Sequence, residues 1–114
     1  MKKTEIKKVN RFKICVGLND SDSDLQKYET EKYISIVEFV CKNMKTAFSL
    51  DVIRGGYNSF EGRFTRENSI AITLIDITQE QADEIASELC AMFHQESVLV
   101  MRDTVDAYFI MDRI

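Results

Sequence analysis

The chain has no proline and no tryptophan, only one histidine, three cysteines and four glycines. Without proline, and with so little glycine, collagen-like, Pro-rich and linker-rich readings fall. Cys15, Cys41 and Cys90 are odd in number and far apart, and none forms a CxxC or CxxH pair. A structural zinc site is therefore not expected, and three buried free thiols in a reducing, cytoplasmic compartment are. No apolar run approaches the ~20 residues that a membrane helix needs. The opening Met1–Lys8 has no apolar stretch behind its charges, so no signal peptide is expected. What is present is globular in character: 114 residues, 45% hydrophobic and 30% charged, enough for one domain.

Charge is unevenly laid out. Residues 1–13 carry Lys2, Lys3, Lys7, Lys8, Arg11 and Lys13 against Glu5, a net +5, which leaves −9 for the remainder of a chain at −4. The division read from this is a basic N-terminal arm over residues 1–11 and a single domain over 12–114. A short basic arm suits a nucleic acid or an acidic partner, or is a frayed terminus. The acidic body argues against a broad phosphate-tracking surface, because like charges repel.

Periodicity places the elements. Phe12, Ile14, Val16 and Leu18 alternate with polar or small residues, which predicts a strand with one buried face. The polar run Asn19–Asp24 ends it, since short polar side chains compete for backbone groups and favour turns. Tyr33, Ile36, Val37, Val40, Cys41 and Met44 form a helical stripe, predicting a helix over 30–45 capped by Thr30. Phe48, Leu50 and Val52 predict a second strand, and 69–77 a third. Thr78-Gln79-Glu80-Gln81 is a capping box, and Ala82, Ile85, Ala86, Leu89 and Phe93 form the stripe of a helix over 79–94. Residues 98–101 predict a fourth strand, and Val105, Ala107, Phe109 and Met111 a fifth or a bulged continuation. The order β-α-β-β-α-β predicts a ferredoxin-like α+β sandwich: an antiparallel sheet, two helices on one face and an extra C-terminal strand. The second sheet face, carrying Cys15, Ile53, Ile75 and Ile77, is also apolar. At about 25 cal/mol per Å² it is unfavourable in water, so it is expected to meet another subunit, the C-terminal segment or a partner.

Two segments could carry chemistry. Asp20, Asp22, Asp24 and Glu31 copy the acidic spacing of a calcium loop, but Leu25 stands where that loop needs glycine and a strand precedes it. A solvated acidic turn is expected, with no metal. Between the second and third strands, Tyr57, Phe60 and Phe64 are interleaved with Arg54, Arg63 and Arg66. Aromatic faces suit stacking on bases, and guanidinium groups suit phosphate or carboxylate forks. These six are the candidate partner- or ligand-binding residues; a long twisted hairpin packed on the body is the plainer reading. Neither GxxxxGK[ST] nor GxGxxG is present. An RNA-recognition sheet needs exposed aromatics on its third strand, and Ser69–Leu74 offers none. His94 closes the second helix, where a cation suits the dipole. Asp51, Glu67 and Asp76 are candidate acids, but nothing pairs two of them. No catalytic residue and no cofactor is expected, and the chain is read as not an enzyme.

At Phe93-His94-Gln95-Glu96-Ser97-Val98-Leu99 the chain resembles a bacterial family of small domains of unknown function in which a helix ends in F-x-Q-E-S-V-L. Arg66-Glu67-Asn68-Ser69 and Val16-Gly17-Leu18 look similar to further stretches of that family. The resemblance implies a PII-like, ferredoxin-like domain and carries over no catalytic residue. Residues 10–20 look like small accessory proteins of mobile elements, some of which inhibit CRISPR nucleases. Two readings follow. One is a non-catalytic partner-binding protein, such as an inhibitor whose acidic body meets a nucleic-acid-handling enzyme or ribonucleoprotein. The alternative is a PII-like sensor that binds a nucleotide or small molecule, as a homo-oligomer.

Overall fold

A computed structural model describes residues 1–58 and 61–112. The elements are β1 (Lys2–Lys3), β2 (Lys7–Gly17), α1 (Thr30–Asn43), β3 (Ser49–Asn58), β4 (Phe64–Ile75), α2 (Gln79–Met92), β5 (Leu99–Ala107) and β6 (Ile110–Met111). The main sheet runs β3-β4-β2-β5, antiparallel throughout, and β1 pairs with β6 in a small second sheet. This is the ferredoxin-like α+β architecture that the element order predicts.

The core follows from the two periodicities. The even residues Phe12, Ile14, Val16 and Leu18 point to one side of β2, and Ile70, Ile72 and Leu74 do so from β4. Val37, Val40 and Cys41 of α1 and Ala82, Ile85 and Leu89 of α2 close over them. Tyr33 and Phe93 meet edge-on with ring centroids 4.9 Å apart, joining the two helices at one end. The capping box forms as expected: the Gln81 amide donates to Thr78 Oγ1 at 3.1 Å, and the Thr78 amide donates to Gln81 Oε1 at 2.9 Å.

Several details depart from expectation. Thr30 does not cap α1; Glu29 takes that position with no side-chain cap, and the Thr30 hydroxyl instead accepts from Gln26 Nε2. Ile77 lies in the core and not on the second sheet face, because β4 ends at Ile75 and the chain turns through Asp76, which has φ 64°. Cys41 is buried, but Cys15 and Cys90 are only half-buried, Cys15 because it points to the sheet face away from the helices. Residues 99–107 form one unbroken strand. Lys7–Arg11, read as part of the basic arm, belong to β2, and Lys7, Lys8 and Arg11 pair with Asp76, Asp106 and Asp103.

The sheet face away from the helices carries exposed Ile53, Ile75, Leu99 and Met101, at 43–58% exposure. At the Ile75 end Thr4, Tyr108 and Phe109 border it and Val9 is buried there; among the described residues no element of this chain covers Ile53, Leu99 and Met101.

Candidate functional site

The segment from Arg54 to Asn68 is mostly strand. β3 and β4 pair without a break from Ser49↔Thr73 to Asn58↔Phe64 and so form a two-stranded arm. The ladder between β2 and β4 ends at Gly17↔Ser69. Beyond it, the edge of β4 is bordered not by a strand but by the loop of residues 19–28. Leu18 N–H donates to the Asn68 carbonyl at 2.9 Å, and Asn19 Nδ2 to the Arg66 carbonyl at 2.9 Å.

Strand alternation then divides the candidate residues between two faces. Arg54, Gly56, Phe64, Arg66 and Asn68 share the helix-side face. With Asn19 and Gln26 they line a cavity of about 700 Å³. Gly56 is required here, because the Phe64 ring lies where a Cβ would stand. Tyr57 and Glu67 point to the other face. With Gly17, Asn19, Ser69 and Gln95 they line a second cleft of about 410 Å³. The two cavities meet at Asn19 and Glu67, which border both.

Of the six residues expected at the site, Arg54, Phe64 and Arg66 come together in the larger cavity. Tyr57 and Arg63 converge instead on the loop: the Tyr57 hydroxyl donates to Asp24 Oδ1 at 3.2 Å, and Arg63 Nη2 lies 3.6 Å from Asp24 Oδ2. Phe60 lies outside the described residues. The pattern search passed over Gly17, Asn19, Gln26 and Gln95. Glu67 appeared only as one of three unpaired acids. Its position over a glycine of the neighbouring strand, fifty residues earlier in the chain, is invisible to local pattern, although both Glu67 and Gln95 lie in the quoted R-E-N-S and F-H-Q-E-S stretches.

Electrostatics single out Glu67. Burial pushes its carboxyl above the usual range; the Asn19 N–H, donating to Oε2 at 3.0 Å, pulls the other way, and the nearby Asp24 charge adds to the rise. Tyr57 is likewise raised, by burial first and then by Asp24. The acidic turn is also built differently from a calcium loop. Asp20 is buried and already serves two cations of the chain itself, His94 at 2.9 Å and Lys27 at 3.2 Å. Its carboxyl falls to about 2, chiefly through the Asp22 backbone N–H and then His94.

No known protein-family model matches the chain, and no curated relative matches it. Solved structures do. A phage SAM lyase in complex with S-methyl-5'-thioadenosine aligns at 25% identity and a TM-score of 0.67, over 87% of this chain and 88% of that one. CutA from Synechococcus elongatus aligns at 13% identity and TM-score 0.58, over 95% of this chain and 85% of that one. CPII from Thiomonas intermedia, bound to ADP, AMP and acetate, aligns at 8% identity and TM-score 0.56, over 91% and 92%. The expected likeness in fold to PII-like proteins is borne out, while no family model supports the resemblance at Phe93–Leu99. The reading of the chain as not an enzyme is corrected: the lyase shows this fold, over nearly the whole chain, to be an enzyme's. The comparisons give no support to the nuclease-inhibitor reading and favour the small-molecule alternative.

Proposed function

We propose that this chain is a lyase that binds S-adenosylmethionine where the two cavities meet and releases methylthioadenosine. The observation that supports this most is the place of Glu67: a half-buried carboxylate beside Tyr57, in a fold aligned over 87% of its length with a lyase that holds the thioadenosine product. The substrate is a sulfonium cation. A half-buried carboxylate is the counter-charge that such a cation needs, and an aromatic face adds to the attraction. The larger cavity supplies Arg54 and Arg66, which suit the substrate's own carboxylate through a two-pronged fork. The exposed Phe64 ring offers a stacking face for adenine.

The chemistry needs little from the protein. When the bond between sulfur and the amino-acid γ-carbon breaks, its electron pair goes to sulfur and the cation becomes a neutral thioether. A lyase adds no water, so the electrons that satisfy the γ-carbon come from within the substrate. Either the substrate's carboxylate oxygen closes on that carbon, or the Glu67 carboxylate takes a β-proton and a double bond forms between the β- and γ-carbons. Both routes disperse charge as the transition state is reached. Where a second copy of the chain closes over the cleft, the loss of water favours the transition state over the ionic ground state.

The test is direct. The purified chain is incubated with S-adenosylmethionine and methylthioadenosine is followed by chromatography, beside Glu67→Gln and Arg66→Ala. Release by the wild type and its loss in Glu67→Gln support the reading. No release, and no heat on titrating methylthioadenosine, overturn it.

The exposed row Ile53, Ile75, Leu99 and Met101 supports a further part of the reading: this face meets a second copy of the chain and so closes over the cleft of Tyr57 and Glu67. Sedimentation that shows a monomer at micromolar concentration overturns that part alone.

A further inference from the structure

Asn19 is held from three directions. Its backbone N–H donates to Glu67 Oε2, its carbonyl accepts from Gln95 Nε2, and its side-chain amide donates to the Arg66 carbonyl. The next residue, Asp20, is buried at 5% exposure. Its carboxylate receives His94 Nδ1 at 2.9 Å on both oxygens, the Asp22 N–H at 2.9 Å and Lys27 Nζ at 3.2 Å. His94 also accepts, at its carbonyl, from the Ser21 N–H at 3.0 Å. Two neighbouring residues just past the end of α2 thus grip Asn19, which touches the candidate carboxylate, and Asp20 next to it. His94 reaches this position through a left-handed backbone, φ 54°, which non-glycine residues seldom adopt and which aims its ring back at Asp20.

We propose that His94 and Gln95 are positioning residues for Glu67: they fix the Asn19 peptide so that its N–H stays on the carboxylate, and the His94–Asp20 pair sets how firmly. This rests on the reading that Glu67 is the acid of the binding cleft. The physical argument is short. Glu67 faces burial and the like charge of Asp24, both of which favour its protonated form, and the Asn19 N–H opposes them. A peptide free to turn would lose that bond first, because the arm holds Asn19 by its side-chain amide at the Arg66 carbonyl, whereas the Asn19 carbonyl is held by Gln95. The groups facing His94 are Asp20, Asp22 at 3.7 Å and, with opposite effect, Lys27. The groups facing Glu67 are Asn19, Asp24 and Tyr57. The pair is complete while His94 is protonated and weakens as pH rises through the raised value of that ring. Lys27 stays on Asp20, so the loop loosens and does not detach.

The test reads Glu67 itself and needs no ligand. The carboxyl carbon of Glu67 is followed by ¹³C NMR across pH in the full chain, in wild type, Gln95→Met and His94→Asn. Methionine keeps the length of Gln95 without its amide, and asparagine tolerates the left-handed backbone without the cation. The expected result is a rise of about one unit in the Glu67 midpoint in each variant. In wild type, a small second inflection coincides with titration of the His94 ring. An unchanged midpoint in variants whose amide spectra stay folded overturns the proposal. Should the variants unfold, the wild-type curve decides, and a missing second inflection overturns it. If the midpoint shifts while Glu67→Gln still releases methylthioadenosine from S-adenosylmethionine, the positioning stands and the assignment of the cleft fails.

Discussion

Gly17 and Glu67 occupy one place in the molecule. A Cβ on Gly17 would stand 2.5 Å from the Glu67 carboxyl, so the absent side chain of β2 is the seat of the acid from β4. The obstacle is the far end of a flexible side chain and not backbone, so the fold has a way to adapt and the carboxylate does not.

Gly17→Ala is therefore expected to leave the chain folded, with melting lowered by a few degrees, as an overpacking cost of about 1–3 kcal/mol implies. It is expected to abolish methylthioadenosine release from S-adenosylmethionine, because Glu67 must leave its seat and the Asn19 bond. Calorimetric melting and the release assay on the same preparation separate the two effects. Retained release would mean that the carboxylate is not needed where it lies.

The two sheet faces should respond differently to the same truncation. Ile72 is fully buried beneath the helices, and Ile72→Ala is expected to cost about 2–5 kcal/mol in urea unfolding. Leu99, at 58% exposure on the open face, should cost under about 1 kcal/mol in the monomer. Leu99→Asp should instead lower the mass seen by sedimentation if that face joins two copies. An unaltered mass for Leu99→Asp would remove the face from the assembly.

Thr78 and Gln81 satisfy two orphan donors at the start of α2. Thr78→Ala should lower stability by about 1 kcal/mol, measured by urea unfolding. Thr30→Ala should change it far less, since Thr30 caps nothing in α1. Equal effects would contradict the caps described.

Stability against pH has a defined sign at both ends of the His94–Asp20 pair. Asp20 is held at about 2 in the folded chain, below the ~4 of an unfolded aspartate. Its contribution is full above about pH 4 and is lost as pH falls towards 2. His94 is raised above its usual ~6.5, by Asp20 first. Its contribution is full below that value and is lost as pH rises through the folded one. The difference in melting temperature between wild type and Asp20→Asn should therefore be widest between about pH 4 and 6, and narrow on both sides. A difference that does not vary with pH would mean that the pair carries no folding energy.

Amphipathic period determined the elements, because a face must be buried once its residues repeat at 3.6 or 2. The stripes of α1 and α2, the even face of β2, the Thr78 capping box and the β-α-β-β-α-β order all follow from neighbours close in the chain. The same logic exposed the second apolar sheet face before any coordinates. It also marked Arg54, Phe64 and Arg66, which the structure brings to one cavity, since aromatic and guanidinium groups clustered in one segment are visible locally. What local pattern could not decide was pairing. Whether residues 54–68 formed a loop or a ladder depended on β4 reaching back to β3, and the alternation of that ladder sent Tyr57 to one face and Arg66 to the other. Gly17 meeting Glu67, Asn19 meeting Gln95 and Asp20 meeting His94 bridge about fifty to seventy-six positions of chain. Each is a contact between residues that are ordinary where they stand, and only the folding of β2, β4 and the end of α2 around one point turns them into a site.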